Sequence, residues 1–282
     1  MNEDNNYRKL EQGIKLDVDL KDNYGGYLRL EQILSAQIPL SSPPHHDEML
    51  FIIQHQVSEL WLKLIVHEVQ AAITHIQQEK LDIASKILAR VKQIQRQLFE
   101  QWAVLETLTP SEYSQFRHVF GSASGFQSVG YRKVEFLLGN KNKSMLKLFP
   151  KDSESFNELN DILNSPSVYD VFLQHLEKCG YNIPKICLKR DWKEPHVFNE
   201  ELVKVFVDVY NDTNKHWDAY ALCEQLVDVE QSFQMWRFRH MKTVERIIGF
   251  KKGSGGSSGV AFLKKALELT FFPELLEVRT HL

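Results

Sequence analysis

The sequence predicts an all-α fold, a single-domain helical bundle, and three observations predict it. Apolar residues recur at three- and four-residue steps over long stretches, the period of one helix face. Helix start signals precede several of these stretches, and no stretch combines β-branched alternation with hairpin turns. The 282 residues, 43% hydrophobic and 25% charged, suffice for one large core.

Composition also excludes several classes of function. With 34 basic and 37 acidic residues the net charge is −3, and no Lys/Arg block stands out, so no nucleic-acid partner is expected. Cys179, Cys187 and Cys223 form neither a paired framework nor a CxxC signature, which predicts reduced thiols in a cytoplasmic protein. The start of the chain lacks the layout of a signal peptide, and no apolar run approaches membrane-spanning length, so no membrane is expected either.

Taken in order, residues 1–20 are polar and read as a mobile N-terminal arm. Asn23-Tyr24-Gly25-Gly26-Tyr27-Leu28 then puts two tyrosines around a turn, their rings either packed on the core or lining a pocket. Leu28 to Gln37 predicts a short helix, and Pro39, Pro43 and Pro44 hold the chain extended. His46 to Glu68 is apolar in nearly every direction, which predicts a helix buried on most sides, with Asp47 and Glu48 in its first turn. It carries His55, one turn from Phe51, on a largely apolar wall. A lone histidine there is most often a satisfied core residue.

Leu81 to Leu105 reads as a long amphipathic helix, with apolar residues from Ile83 through Ile94 to Trp102 on one stripe. Thr109-Pro110-Ser111-Glu112 is a capping box with proline at the first helical position, starting a helix that runs to Gly121. Tyr113 and Arg117 lie one turn apart on it, between Phe116 and Phe120, a fork suited to a carboxylate. Gly121 to Ser128 is rich in small residues. Helices follow at Val129–Leu138, with Arg132 and Glu135 as its polar face, then Ser153–Leu163 and Ser165 to His175. Residues 180–196 are the best linker candidate, but short and apolar enough to keep one domain. Asn199 caps a run that is two helices or one bent helix. Near its end Phe233, Trp236, His240, Val244 and Ile247 share a stripe from which Arg237 and Arg239 are absent. The glycine string Gly253 to Gly259 has no strand before it and no GK[ST] after it, so it reads as a closing loop or a connector. A helical pattern runs from Val260 to Leu269.

Two histidines on apolar helix faces suit a metal or a haem. The sequence has no HExxH and no pair of Glu-x-x-His units, while His55 with Glu59 leaves a mononuclear non-haem site open. Spacing does not choose among these.

The strings HDEMLFIIQHQVSELWLK, FRHVFGSASGFQS, FQMWRFRHMKTVERIIG and GSGGSSGVAFL resemble the signature segments of the tryptophan 2,3-dioxygenase family, in order, from about Tyr24 to the C-terminal helices. The resemblance implies an all-α chain with a haem pocket between helices, one haem b per subunit, O2 as co-substrate and a cytoplasmic homotetramer. Its implied activity inserts both atoms of O2 into the indole ring of L-tryptophan, giving N-formyl-L-kynurenine, the first step of the kynurenine pathway. It makes His240 the axial iron ligand and His55 the catalytic, distal histidine beside the indole nitrogen, orienting substrate rather than indispensable as a base. Phe51 would pack on the indole, Tyr113 and Arg117 would take the carboxylate, and Ser254 would meet the ammonium end. Ser124 and Gly125 would let the backbone approach the haem. Tyr24, Tyr27 and Leu28 would complete the pocket of a neighbouring subunit. Three positions depart from the family's usual residues. Ser254 replaces threonine, implying a weaker grip on the ammonium; Phe120 replaces an aliphatic residue, implying a narrower pocket; Ser122 replaces proline, implying a looser loop. A monooxygenase acting on another indole and a non-catalytic haem or tryptophan sensor are the competing readings.

Overall fold

A computed structural model describes residues 7–16, 19 and 23–282; residues 1–6, 17, 18 and 20 of the expected N-terminal arm lie outside the described residues. Among the described residues all regular structure is helical. Two short helices, α1 (Tyr24–Leu28) and α2 (Leu30–Leu34), replace the expected turn and longer helix. Arg29 separates them because its left-handed backbone, φ 51°, cannot continue a helix.

The centre of the fold is α3 (His46–Gln77), packed against α4 (Leu81–Glu100). Leu62, Ile65, Val69, Ala72 and Ile76 of α3 are buried, but Ile53 and Leu60 are exposed, so burial on most sides holds only for its second half. By length and composition α3 could cross a membrane, contrary to the expectation that no run reaches that length; here its apolar stripe is part of the protein core. Glu48 does not serve the first turn alone. Its buried carboxylate accepts from the Leu40 and Ser41 N–H groups at 2.7 and 3.0 Å and from the Ser41 hydroxyl. Burial pushes this carboxyl up, and those hydrogen bonds outweigh it and hold it below its ordinary value.

The predicted 81–105 helix breaks at Gln101, leaving α5 (Trp102–Leu105) as a separate turn. The Thr109–Glu112 capping box forms as expected and starts α6 (Pro110–Phe116), after which Arg117–Phe120 tightens into a 3₁₀ turn. Then come α7 (Val129–Leu138), α8 (Glu154–Leu163) capped by Ser153, α9 (Val168–Lys178) capped by Ser167, and the single turn α10 (Lys185–Leu188). The run after Asn199 is two helices, α11 (Glu200–Asn211) and α12 (Trp217–Ile248). Short helices α13 (Val260–Ala266) and α14 (Pro273–Glu277) end the chain.

One apolar cluster runs from Leu62 to Val278 and takes residues from most of these helices; a small second one joins Phe136, Leu159 and Leu163. The supposed polar face of α7 is buried instead. Arg132 and Glu135 pair with each other, and the Arg237 guanidinium, itself 3% exposed, reaches Glu135 at 2.9 Å and the Tyr131 hydroxyl at 3.2 Å. Charges so buried persist because each finds a partner. Arg237 also donates to the Ala266 and Leu269 carbonyls, which ties the end of α13 to α12.

Candidate active site

Helix α3 presents Phe51 and His55, and α6 with its 3₁₀ extension brings Tyr113, Phe116 and Phe120 against them. Phe51 stacks on Phe120 at 4.6 Å between ring centroids and lies 4.1 Å from His55, 5.8 Å from Tyr113 and 6.0 Å from Phe116. The result is an aromatic wall around a single imidazole. The His55 Nδ1 lies 2.7 Å from the Phe51 carbonyl oxygen, which can only accept, so Nδ1 carries the proton. Nε2 is thereby left as an acceptor. Burial lowers the pKa of His55 below the ordinary imidazole value, against the opposing pull of the Phe51 carbonyl, so the ring is neutral at pH 7.

The four-residue step from Tyr113 to Arg117 survives the change from α to 3₁₀ geometry, since the Arg117 N–H still bonds to the Tyr113 carbonyl. Burial raises the Tyr113 pKa, while the nearby Arg117 guanidinium pulls the other way. Both residues line a cleft of about 400 Å³ with His118, Ile247, Lys251 and Ser254. The Arg117 Nη2 donates to the Lys252 carbonyl at 2.5 Å, and the Ser254 hydroxyl donates to the Ala123 carbonyl at 2.5 Å. The glycine loop is thus fastened to both the clamp and the small-residue loop. A Cβ on Gly255 would sit 2.7 Å from the Ser124 Cβ, so only glycine permits this approach. Ser124 itself caps the turn Gly125–Gln127, and a Cβ on Gly125 would meet nothing within 4 Å.

His240 comes from α12, with Trp236 one turn before it. Its ring stacks on Trp102 at 4.8 Å, 10° from parallel, and lies 5.7 Å from Trp236. Burial drives its pKa down to about 4, with the proximity of His55 adding to the effect. Both residues are half-buried. No hydrogen bond from the described residues acts on the His240 ring. A neutral, unpartnered imidazole with an approachable backbone at Gly125 fits the needs of a haem. The mononuclear alternative on His55 and Glu59 lacks further ligands: among the described residues no three His, Cys, Asp or Glu side chains converge.

Tyr24 and Tyr27 are not brought to this pocket within the chain; they stand 76% and 83% exposed, and Leu28 is half-buried beside them. Trp102 and the Lys252 carbonyl went unread as site groups. Trp102 looked like one more member of an amphipathic stripe, and a backbone acceptor leaves no trace in sequence. Trp236, four residues before His240 on its stripe, carried the signal that would have found the indole pair.

The model of the family described as Tryptophan 2,3-dioxygenase matches residues 9–190 and 195–282. The chain is 60% identical over 277 residues to the tryptophan 2,3-dioxygenase of Serratia proteamaculans (strain 568), covering 98% of this chain and 99% of the relative. It is 59% identical to that of Xanthomonas euvesicatoria pv. vesicatoria (strain 85-10) and 58% to that of Xanthomonas campestris pv. campestris (strain B100), each over 98% of this chain and 93% of the relative. Matched in this way along nearly all its length, the chain belongs to the tryptophan 2,3-dioxygenase family.

Proposed function

We propose that this chain inserts both atoms of O2 into the indole ring of L-tryptophan to give N-formyl-L-kynurenine, the first step of tryptophan catabolism by the kynurenine pathway. His240 would hold one haem b per subunit, with Ser124 and Gly125 bordering it, and the haem would supply the binding and activation of dioxygen. The observation that carries the reading is the tautomer of His55. With Nδ1–H committed to the Phe51 carbonyl, Nε2 is free to accept the indole N–H. It orients the ring against Phe51 and need not remove a proton.

The clamp supports an α-amino acid as substrate. Arg117 spends one donor on Lys252 and another on the Tyr113 oxygen, which leaves its other N–H groups and the Tyr113 O–H to donate to a carboxylate. Ser254 gives its proton to Ala123, so its oxygen lone pairs remain to accept from an ammonium. The missing threonine methyl leaves this hydrogen bond intact. Phe120, stacked on Phe51, would narrow the pocket toward a flat substrate. The aromatic wall around His55 keeps water from competing for Nε2.

The exposed tyrosines of α1 support a homotetramer in which Tyr24, Tyr27 and Leu28 complete a neighbouring subunit's pocket. Three free cysteines, two of them buried, fit a cytoplasmic location. The test is an optical one. Haem-loaded protein reduced with dithionite, then given L-tryptophan and air, should develop the near-ultraviolet absorbance of formylkynurenine through many turnovers. Haem binding without that product would mark a sensor instead.

A further inference from the structure

Histidines that hold metals ordinarily donate their second ring N–H to a carboxylate or a backbone carbonyl, which fixes the plane of the ring. No such protein partner acts on His240 among the described residues. Rotation about the Cβ–Cγ bond of histidine is intrinsically soft, so something else must hold the plane. Two indoles border the ring. Trp102 lies nearly parallel at 4.8 Å, and Trp236 stands at 5.7 Å and 32°, with 6.3 Å between the indoles. Both tryptophans are 6% exposed, and both indole N–H groups are buried without an acceptor among the described residues. An unpaired buried donor opposes folding, so an ordinary core position would favour a phenylalanine here. Turning the imidazole out of its plane would drive its edge into the face of Trp102. Trp236 shares the backbone of α12 and moves with it, whereas Trp102 reaches the ring from a separate helix.

We propose that Trp102 is the positioning residue for His240: its indole face, in place of a hydrogen bond, fixes the plane in which the imidazole meets a haem iron. The proposal rests on His240 as the axial ligand. The test compares haem-loaded wild-type protein with Trp102→Leu and Trp102→Phe, each isolated as the folded, haem-bearing fraction. The ferrous iron–histidine stretching band is recorded by resonance Raman, and haem loss is timed by transfer to excess apomyoglobin. Trp102→Leu should shift and broaden the band and speed haem loss about ten- to hundredfold, the usual range for a lost outer partner of a metal ligand. Trp102→Phe, which keeps a flat ring against the imidazole, should stay close to wild type in both. A wild-type band and rate in Trp102→Leu, or equal changes in the two variants, would overturn the proposal. Absence of any iron–histidine band in the wild type would remove the axial assignment itself, an outcome distinct from either.

Discussion

Arg117 and His55 carry the recognition of substrate, and each does so through a bond whose loss has a readable size. Arg117→Ala removes charge-assisted hydrogen bonds worth about 1.5–3 kcal/mol, which should raise KM for L-tryptophan roughly ten- to hundredfold. An unchanged KM would place the clamp elsewhere. For His55 the prediction is one of pH. Its folded pKa lies below 6.5, so Nε2 remains an acceptor through neutral pH and becomes a donor only as pH falls past that depressed value. The profile of kcat/KM should therefore fall on the acid side, with a midpoint below 6.5, and His55→Ala should keep its haem and lose that limb. A limb centred above 6.5 would contradict the tautomer argument. Tyr113 and Arg117 were legible because helical spacing puts them on one face, and His55 because it interrupts an apolar stretch of α3. Trp102 was not, since its contact with His240 depends on how α5 meets α12, which no local period encodes.

Helix boundaries were legible at several side-chain caps: Thr109, Ser153 and Asn199 each cap the helix that the sequence assigned to them, whereas the caps Asn23 of α1 and Ser167 of α9 went unread. Breaks made by backbone alone, at Arg29 and Gln101, left no comparable mark. The polar face assigned to α7 also failed, because Glu135 is buried between Arg132 on its own helix and Arg237 on α12. Glu230 illustrates the same kind of long-range tie. Its buried carboxylate accepts from the Phe271 and Phe272 N–H groups at 2.7 and 2.9 Å, which fastens the C-terminal segment to α12. Glu230→Ala leaves both donors unpaired at a cost of about 3 kcal/mol, or roughly 6–12 °C in Tm. Glu230→Gln, which keeps an acceptor oxygen, should lose less than half as much. Equal losses measured by thermal unfolding would show that the two hydrogen bonds do not hold the segment.

At the scale of the whole molecule, the all-α architecture was legible from periodicity, and one apolar cluster spanning Leu62 to Val278 supports our proposal of a single domain. What periodicity did not reveal is that half of α3 would stay uncovered within one chain and that Tyr24 and Tyr27 would face outward. We expect light scattering to give the mass of four chains, and Tyr24→Ala with Tyr27→Ala to raise KM without altering haem content. A fully active monomer would contradict the shared pocket. We propose that His55, Arg117 and His240 surround a site where tryptophan receives both atoms of one dioxygen molecule. Turnover of L-tryptophan under ¹⁸O2, with the product analysed by mass spectrometry, tests this most directly. The account predicts formylkynurenine carrying two labelled oxygens, and a product with a single label, or with oxygen drawn from water at the indole carbons, would contradict it.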